Sequence, residues 1–545
     1  MEMRALGNEY SARKVRLLDV TGGIPEKLWS LTSLTKLNLD GNYLTGPLSS
    51  SIANLTQMQW LSLWYNGLSG EVPKELGKLT NLTVLDISSN YFSGSLPSEL
   101  GNLVNLEELH IKANYFNGSL PSELGNLVNL EELDINTNNF SGSLPSELGN
   151  LVNLKELYLS FNALSGEVPK ELGKLSNLTV LDINTNNFSG SLPSELGNLV
   201  NLKELELVKT SQPLNSFNGL TPHLIVFMYL SFNALSGEVP KELGKLTNLT
   251  VLSISMNKFS GSLPSELGNL VNLEELPVNC NLYKAGIACK KFEHHTYIIL
   301  RLDSYFGSSG VSGAIPSTFA ALQNLITVVG SDNELTGSIP EFIGNWSKLR
   351  NLNLGFNALS GEVPKELGKL TNLTVLDINT NNFSGSLPSE LGNLIKLEEL
   401  PVNCNLCKAG IACKKFEHHT YIILRLDSYF NSSGVSGAIP STFAALQNLT
   451  TVWGSDNELT GSIPEFIGTW SNLDSLRISD LSNGSSSLAF LKDMTSLSTL
   501  ILRNNNISGT IPSNIGDFGS LSHLFLGNNK LTGMLPALKS TFLQM

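Results

Sequence analysis

Apolar and polar positions follow one another along most of this chain in a single recurring order. Within Leu82 to Asn105, residues Leu82, Leu85 and Ile87 are apolar and Asn90 is polar. Phe92, Gly94, Leu96, Pro97, Leu100 and Leu103 then complete a unit of 24 residues. Further units start at Leu106, Leu130, Leu154, Leu178, Ile225, Leu249, Leu325, Leu349, Leu373, Leu449, Leu497 and Leu521. Leu85-x-Ile87 puts two apolar side chains on one face, which predicts a short strand. Asn90 ends it with an amide that can satisfy backbone groups where the chain turns inward. Gly94 permits a backbone conformation that a larger residue would resist. Pro97 fixes φ and blocks further ladder pairing. Leu100 and Leu103 return to the interior from a short helical or 3-10 turn. A single unit cannot bury these groups, so neighbours must stack around a shared core. The pattern predicts an α/β solenoid of ~20 repeats of 24 residues, with short parallel strands on its concave face.

Departures from the period set the organisation. Residues 1–33 read as an incomplete first repeat without a cap, with Val15 to Val20 as the tail of a strand, and 34–201 as regular units. Residues 202–224 lose the Asn and the Gly-x-Leu-Pro, which predicts a bulging loop or kink. The repeats resume over 225–545, with 473–496 irregular and a short helix expected there. Deleting 277–304, or the near-copy 401–428, restores the 24-residue register, so each reads as an insertion into the middle of a strand. Such an insertion costs ladder hydrogen bonds. Three readings stay open for it: translated non-coding sequence, a looped-out insertion, or a metal site. For the last, Cys404, Cys407, Cys413 and His418 are the candidate ligands. Phe232–Leu349 also recurs at Phe356–Leu473, at an offset of 124 residues.

The motifs resemble a known family. The Gly-x-Leu-Pro or Gly-x-Ile-Pro after the Asn, as at Gly70–Pro73 and Gly337–Pro340, resembles the plant-specific class of leucine-rich repeat. That class implies a horseshoe or superhelix with a second short sheet beside the concave one. Ser432 to Gly516 closely resembles the ectodomain of plant leucine-rich-repeat receptor-like serine/threonine kinases. The subfamily is the one whose repeats precede a malectin-like domain (LRR-VIII type), and the irregular run Ser482–Leu488 carries much of the likeness. The resemblance implies the extracellular side of the plasma membrane and a peptide, cell-wall glycan or protein ligand, with a co-receptor kinase as a further partner. The signal peptide, cysteine-containing cap, malectin-like domain, transmembrane helix and kinase of such receptors are not found in this sequence. Two alternatives remain: a secreted decoy or inhibitor, and a truncated or mis-assembled gene product.

Composition narrows the chemistry. The net charge is −13 and only 15% of residues are charged. Without a basic run, nucleic acid is not an expected partner. No apolar stretch approaches the ~20 residues that span a bilayer. Asp517-Phe518-Gly519 spells a kinase metal-binding tripeptide, but the other kinase elements are missing. The chain is therefore expected to be non-catalytic and to need no cofactor. A binding surface remains. The variable positions around the strand leucines are expected on the concave face: Trp64, Tyr65, His110, Lys112, Tyr158, Phe161, Phe232, Phe356, Trp453, Asp456 and Arg503. Asn-x-Ser/Thr occurs at Asn54, Asn81, Asn117, Asn139, Asn177, Asn187, Asn248, Asn345, Asn372, Asn382, Asn431, Asn448, Asn483 and Asn506. These are candidate glycosylation sites, although an Asn-rich repeat produces such tripeptides for structural reasons as well.

Overall fold

The structure is a computed structural model. It describes residues 19–202, 233–278, 310–331, 333–401, 434–455 and 457–534, and the backbone of 12–14 and 204–206. The chain forms two compact units, residues 1–258 and 259–545, each built from the same repeat.

In the first unit, three-residue strands form a parallel ladder. It runs from Ala12–Lys14, Lys36–Asn38 and Trp60–Ser62 through Val84–Asp86, Glu108–His110, Glu132–Asp134, Glu156–Tyr158, Val180–Asp182 and Glu204–Glu206 to Val251–Ser253. Register is one strand per repeat, so Val84, Leu85 and Asp86 face Glu108, Leu109 and His110. The first strand lies at Ala12–Lys14, ahead of the expected 15–20; residues 15–18 lie outside the described residues. Glu204–Glu206 pairs directly with Val251–Ser253. The ladder therefore passes the irregular segment without losing a rung; the loop or kink expected there falls on 207–232, outside the described residues.

Each repeat is closed by the residues that the periodicity singled out. Asn90 is 4% exposed. Its Oδ1 accepts from the Leu68 amide at 3.0 Å, and its Nδ2 donates to the Leu63, Ile87 and Ser88 carbonyls at 2.9, 3.2 and 3.1 Å. Asn114, Asn138, Asn162 and Asn186 repeat the arrangement. The next residues form a second parallel sheet, Tyr91–Gly94 beside Tyr115–Gly118. Gly94 ends its strand at φ +81, a left-handed conformation that favours glycine. Phe92, Phe116 and Phe140 stack in line beneath this sheet, with ring centroids 6.3 and 5.9 Å apart.

Pro97 then starts the five-residue 3-10 helix Ser98–Asn102, which buries Leu100 and delivers the buried Leu103 and Leu106 to the core. The helical layer consists of such 3-10 segments throughout, and no α-helix occurs among the described residues. Gly101 sits against the next repeat, where a Cβ would lie 2.4 Å from the Glu123 carbonyl oxygen, so the helix faces stack closely there.

The second unit repeats the plan through Glu275–Pro277, Thr327–Val329, Asn351–Asn353, Val375–Asp377, Glu399–Pro401, Thr451–Trp453, Ser475–Arg477, Thr499–Ile501 and His523–Phe525. One detail corrects the sequence reading. Pro277 pairs with Val329, and Val278 is buried and donates its amide to the Val329 carbonyl at 2.7 Å. Two residues assigned to the insertion thus complete the strand, so the ladder is not interrupted at that point. The rest of both insertions lies outside the described residues. The irregular repeat 473–496 closes with the short helix Ala489–Asp493, again 3-10, burying Phe490, Leu491 and Met494.

Candidate functional site

The alternation x-Leu-x, with Val328 and Val452 in the place of Leu in two strands, buries the central aliphatic and turns flanking residues outward. Residues one and two places beyond the next buried aliphatic extend the same surface. On the first unit this ladder face carries Trp60, Trp64, Tyr65, Asp86, Glu108, His110, Lys112, Glu132, Asp134, Glu156, Tyr158 and Asp182. The face is predominantly acidic, with the basic side chains His110 and Lys112 set beside carboxylates. His110 lies 3.5 Å from Glu108 and 3.6 Å from Glu132. Lys112 Nζ is 2.8 Å from the buried Asp134 carboxylate. Burial works against the Lys112 charge, but Asp134 outweighs it and holds the ammonium above its ordinary pKa. The Tyr158 hydroxyl donates to Glu156 at 2.8 Å.

Several of these carboxylates are protonated more easily than in water. Burial pushes Asp86 up, against hydrogen bonds from Ser88 and the charge of His110. Burial raises Glu132 as well, helped by Glu156, Asp134 and Glu108. Asp182 is pushed up to about 6, again mainly by burial, while Ser160 and Asn184 pull it back by hydrogen bonding. A cationic ligand group placed over this row would relieve both the repulsion and the unfavourable burial of negative charge.

Tyr65, Phe161 and Phe356 share one register position, where the backbone turns left-handed at φ 56, 53 and 55 just before the inward Asn. They sit at the corner between the two sheets and not within the strands. Trp64 and Tyr65 pack with ring centroids 5.4 Å apart, and the exposed Trp60 is capped by Lys36 at 5.7 Å from its centroid.

On the second unit Trp453 stands on the ladder face with the Arg477 guanidinium 4.6 Å above its ring, and its Nε1 donates to Ser475 at 3.1 Å. Arg503 is half-buried two residues beyond its strand. Phe232 and Asp456 lie outside the described residues, as do Cys404, Cys407, Cys413, His418 and Asn431. Among the described residues no group of three His, Cys, Asp or Glu could hold a metal ion. The other Asn-x-Ser/Thr asparagines are exposed, except the half-buried Asn372 and Asn506. Sequence reasoning missed Trp60, the acidic row and Arg477; the x-Leu-x alternation pointed to them, because each flanks a strand leucine.

A parallel ladder closed by buried asparagines, a second sheet and stacked 3-10 turns define a leucine-rich-repeat solenoid. Matches to known families agree. The leucine-rich repeat region model matches residues 12–167 and 158–301, and the Leucine Rich Repeat model matches 348–370, 372–394 and 496–518. The chain belongs to the leucine-rich-repeat family. No curated protein matches it. Among solved structures it is similar to the ectodomain of the Arabidopsis receptor kinase HAESA in complex with an extended IDA peptide hormone. That match has 29% identity and a TM-score of 0.70, covering 96% of this chain and 79% of the other. It is similar to the plant peptide hormone receptor RGFR1 in complex with RGF2, at 28% identity and a TM-score of 0.66, covering 96% and 83%. It is also similar to the ectodomain of the Arabidopsis thaliana membrane receptor kinase GASSHO1/SCHENGEN3 in complex with CASPARIAN STRIP INTEGRITY FACTOR 2. Here identity is 27% and the TM-score 0.64, and the match covers 95% of this chain but 59% of that one. The described residues contain no helix long and apolar enough to cross a membrane.

Proposed function

We propose that this chain is a non-catalytic recognition module, the extracellular repeat region of a plant receptor-like kinase, and that it binds a peptide on the ladder face of its first unit. The observation that carries the reading is the ordered acidic row, with the Trp60, Trp64 and Tyr65 cluster at one end. Half-buried carboxylates select Lys or Arg, and exposed aromatics with polar tips are the usual anchors of such contacts. The likeness to ectodomains solved with peptide hormones supports a peptide over a glycan, and a co-receptor kinase would be the second partner. The LRR-VIII assignment belongs to the same proposal and rests on Ser432–Gly516.

The test is an array of synthetic 12-residue peptides of graded charge, read by calorimetry on the full chain. Peptides with two or three basic residues should bind, and Glu108→Gln with Glu132→Gln should weaken them about tenfold or more, the scale of about 1.4 kcal/mol. Equal binding of acidic and basic peptides, or no effect of the double substitution, would overturn the proposal.

A further inference from the structure

A polar groove of about 500 Å³ runs along the flank of the first unit, where the chain enters the ladder strands. One wall is the row Gln59, Thr83, Glu107 and Glu131; the other is the row Asn81, Asn105, Asn129 and Asn153. The asparagines are held in place. Each donates Nδ2 to a carbonyl of the preceding repeat: Asn81 to Thr56 at 2.9 Å, Asn105 to Thr80 at 2.8 Å, Asn129 to Val104 at 2.9 Å and Asn153 to Val128 at 2.9 Å. Glu131 pairs with Lys155 at 2.6 Å. The lining is rich in amide, hydroxyl and carboxylate groups, which suits a ligand dense in hydroxyls and amides.

Only the first rung of this groove is a glycosylation tripeptide. Asn81-Leu82-Thr83 qualifies, and both Asn81 and Thr83 line the groove. Asn105, Asn129 and Asn153 occupy the same register but are followed two residues on by Glu107, Glu131 and Lys155, so the floor beyond Asn81 stays bare. The next tripeptide in the row is Asn177-Leu178-Thr179.

We infer that Asn81 carries an N-linked glycan whose first sugars lie in this groove, against Asn105, Glu107, Asn129 and Glu131. In the covalent step Asn81 Nδ2 attacks the anomeric carbon of a lipid-diphosphate-linked oligosaccharide. The bond from that carbon to the diphosphate oxygen breaks, its electron pair leaves on the lipid diphosphate, and Nδ2 gives up one proton. The remaining N–H suffices for the bond to the Thr56 carbonyl. Sugar hydroxyls and the acetamido N–H then donate to the carboxylate and amide oxygens of the two rows. The covalent tether supplies a high effective concentration, so weak contacts are enough to seat the glycan. The inference rests on the extracellular reading only in requiring passage through a glycosylating compartment.

The experiment secretes the full chain, behind a cleavable leader, from cells held at high-mannose glycans. Occupancy of every tripeptide is read by glycopeptide mass spectrometry, and glycan release by endoglycosidase H is timed on the native protein. Asn81 should be occupied, Thr83→Ser should keep it and Thr83→Ala should abolish it. Release at Asn81 should be about tenfold slower in the native chain than in Glu107→Ala with Glu131→Ala, the scale of a weak docking equilibrium. Release at the other occupied tripeptides should match between the two proteins. A bare Asn81 on a chain glycosylated elsewhere overturns the inference and leaves the extracellular reading standing, as do equal release rates in the two proteins. A chain bare at every tripeptide overturns both.

Discussion

Replacing Asn90 by Ala removes four hydrogen bonds at once. The Leu68 amide, on a residue 0% exposed, loses its acceptor, and the Leu63, Ile87 and Ser88 carbonyls lose a donor. The two kinds of loss are unequal. A buried N–H left without a partner costs about 1–3 kcal/mol. The carbonyls fare better: Leu63 keeps the Asn66 amide at 3.1 Å and Ile87 keeps the Asn114 amide at 3.0 Å. Adding a smaller contribution from these, the expected loss is about 2–4 kcal/mol. It should be local, because each repeat interacts chiefly with its neighbours. The assay is hydrogen exchange followed at the peptides containing Leu68 and Phe92. Protection at Leu68 should fall about 30- to 1,000-fold, with little change beyond the adjoining repeats. Asn105→Ala is the matched control, since it removes one exposed bond to Thr80 and should cost under about 1 kcal/mol. Equal effects of Asn90→Ala and Asn105→Ala would refute the claim that the inward asparagine closes the repeat.

Three further outcomes follow from the packing and the charges. Gly101→Ala would place a Cβ 2.4 Å from the Glu123 carbonyl oxygen, so the 3-10 stack must open; a loss of about 1–3 kcal/mol is expected, read as a lower denaturation midpoint. Gly330→Ala should act in the opposite direction. It faces a small apolar cavity of about 20 Å³ beside Leu335, Trp346 and Leu354, and the nearest atom to the new methyl is Leu354 Cδ2 at 3.3 Å, which can give into that cavity; a gain of about 0.5–1 kcal/mol in the same assay is the expected result. Asp182 titrates near 6 when folded against 3.8 when unfolded. The folded state therefore keeps a proton that the unfolded state releases, and stability falls as pH rises from about 4 to about 6, by up to about 3 kcal/mol. Asp182→Asn should remove that fall, raising the midpoint at pH 7 and leaving it nearly unchanged at pH 4; a wild-type slope retained in the variant would rule out Asp182 as its source.

The scaffold could be read from the sequence because every scaffold position is used for the same purpose in each repeat. Leu85, Asn90, Gly94, Pro97 and Leu100 each answer a local requirement: a buried strand face, a closed turn, a positive φ, a ladder stop, a filled core. Where one position serves two requirements, the reading slipped. Pro277 and Val278 looked foreign because deleting 277–304 restores the 24-residue register, yet Val278 fills the same buried place as Ile87 and the strand accepts it. The helical turn could be placed but not typed, since nothing local in Ser-Glu-Leu-Gly-Asn separates a 3-10 from an α turn.

The recognition surface was legible only in outline, for a related reason. Its positions are those the scaffold leaves free, so no periodicity marks which of them act together. His110 and Lys112 were visible as unusual residues. The fact that they are ringed by Glu108, Glu132 and Asp134 comes from strand register, which sets residues 24 apart side by side. The same register sets Glu108 beside Glu132, puts Asp86 and Asp134 on either side of His110, and places Asp182 two strands on from Asp134. Apart in the sequence these carboxylates read as ordinary solvated charges; placed on one face they favour a cation, and burial raises the pKa of Asp86, Glu132 and Asp182. The ligand preference of a repeat protein therefore resides in differences between repeats read across the ladder, and a single substitution such as Glu132→Gln should shift it while leaving the fold unchanged.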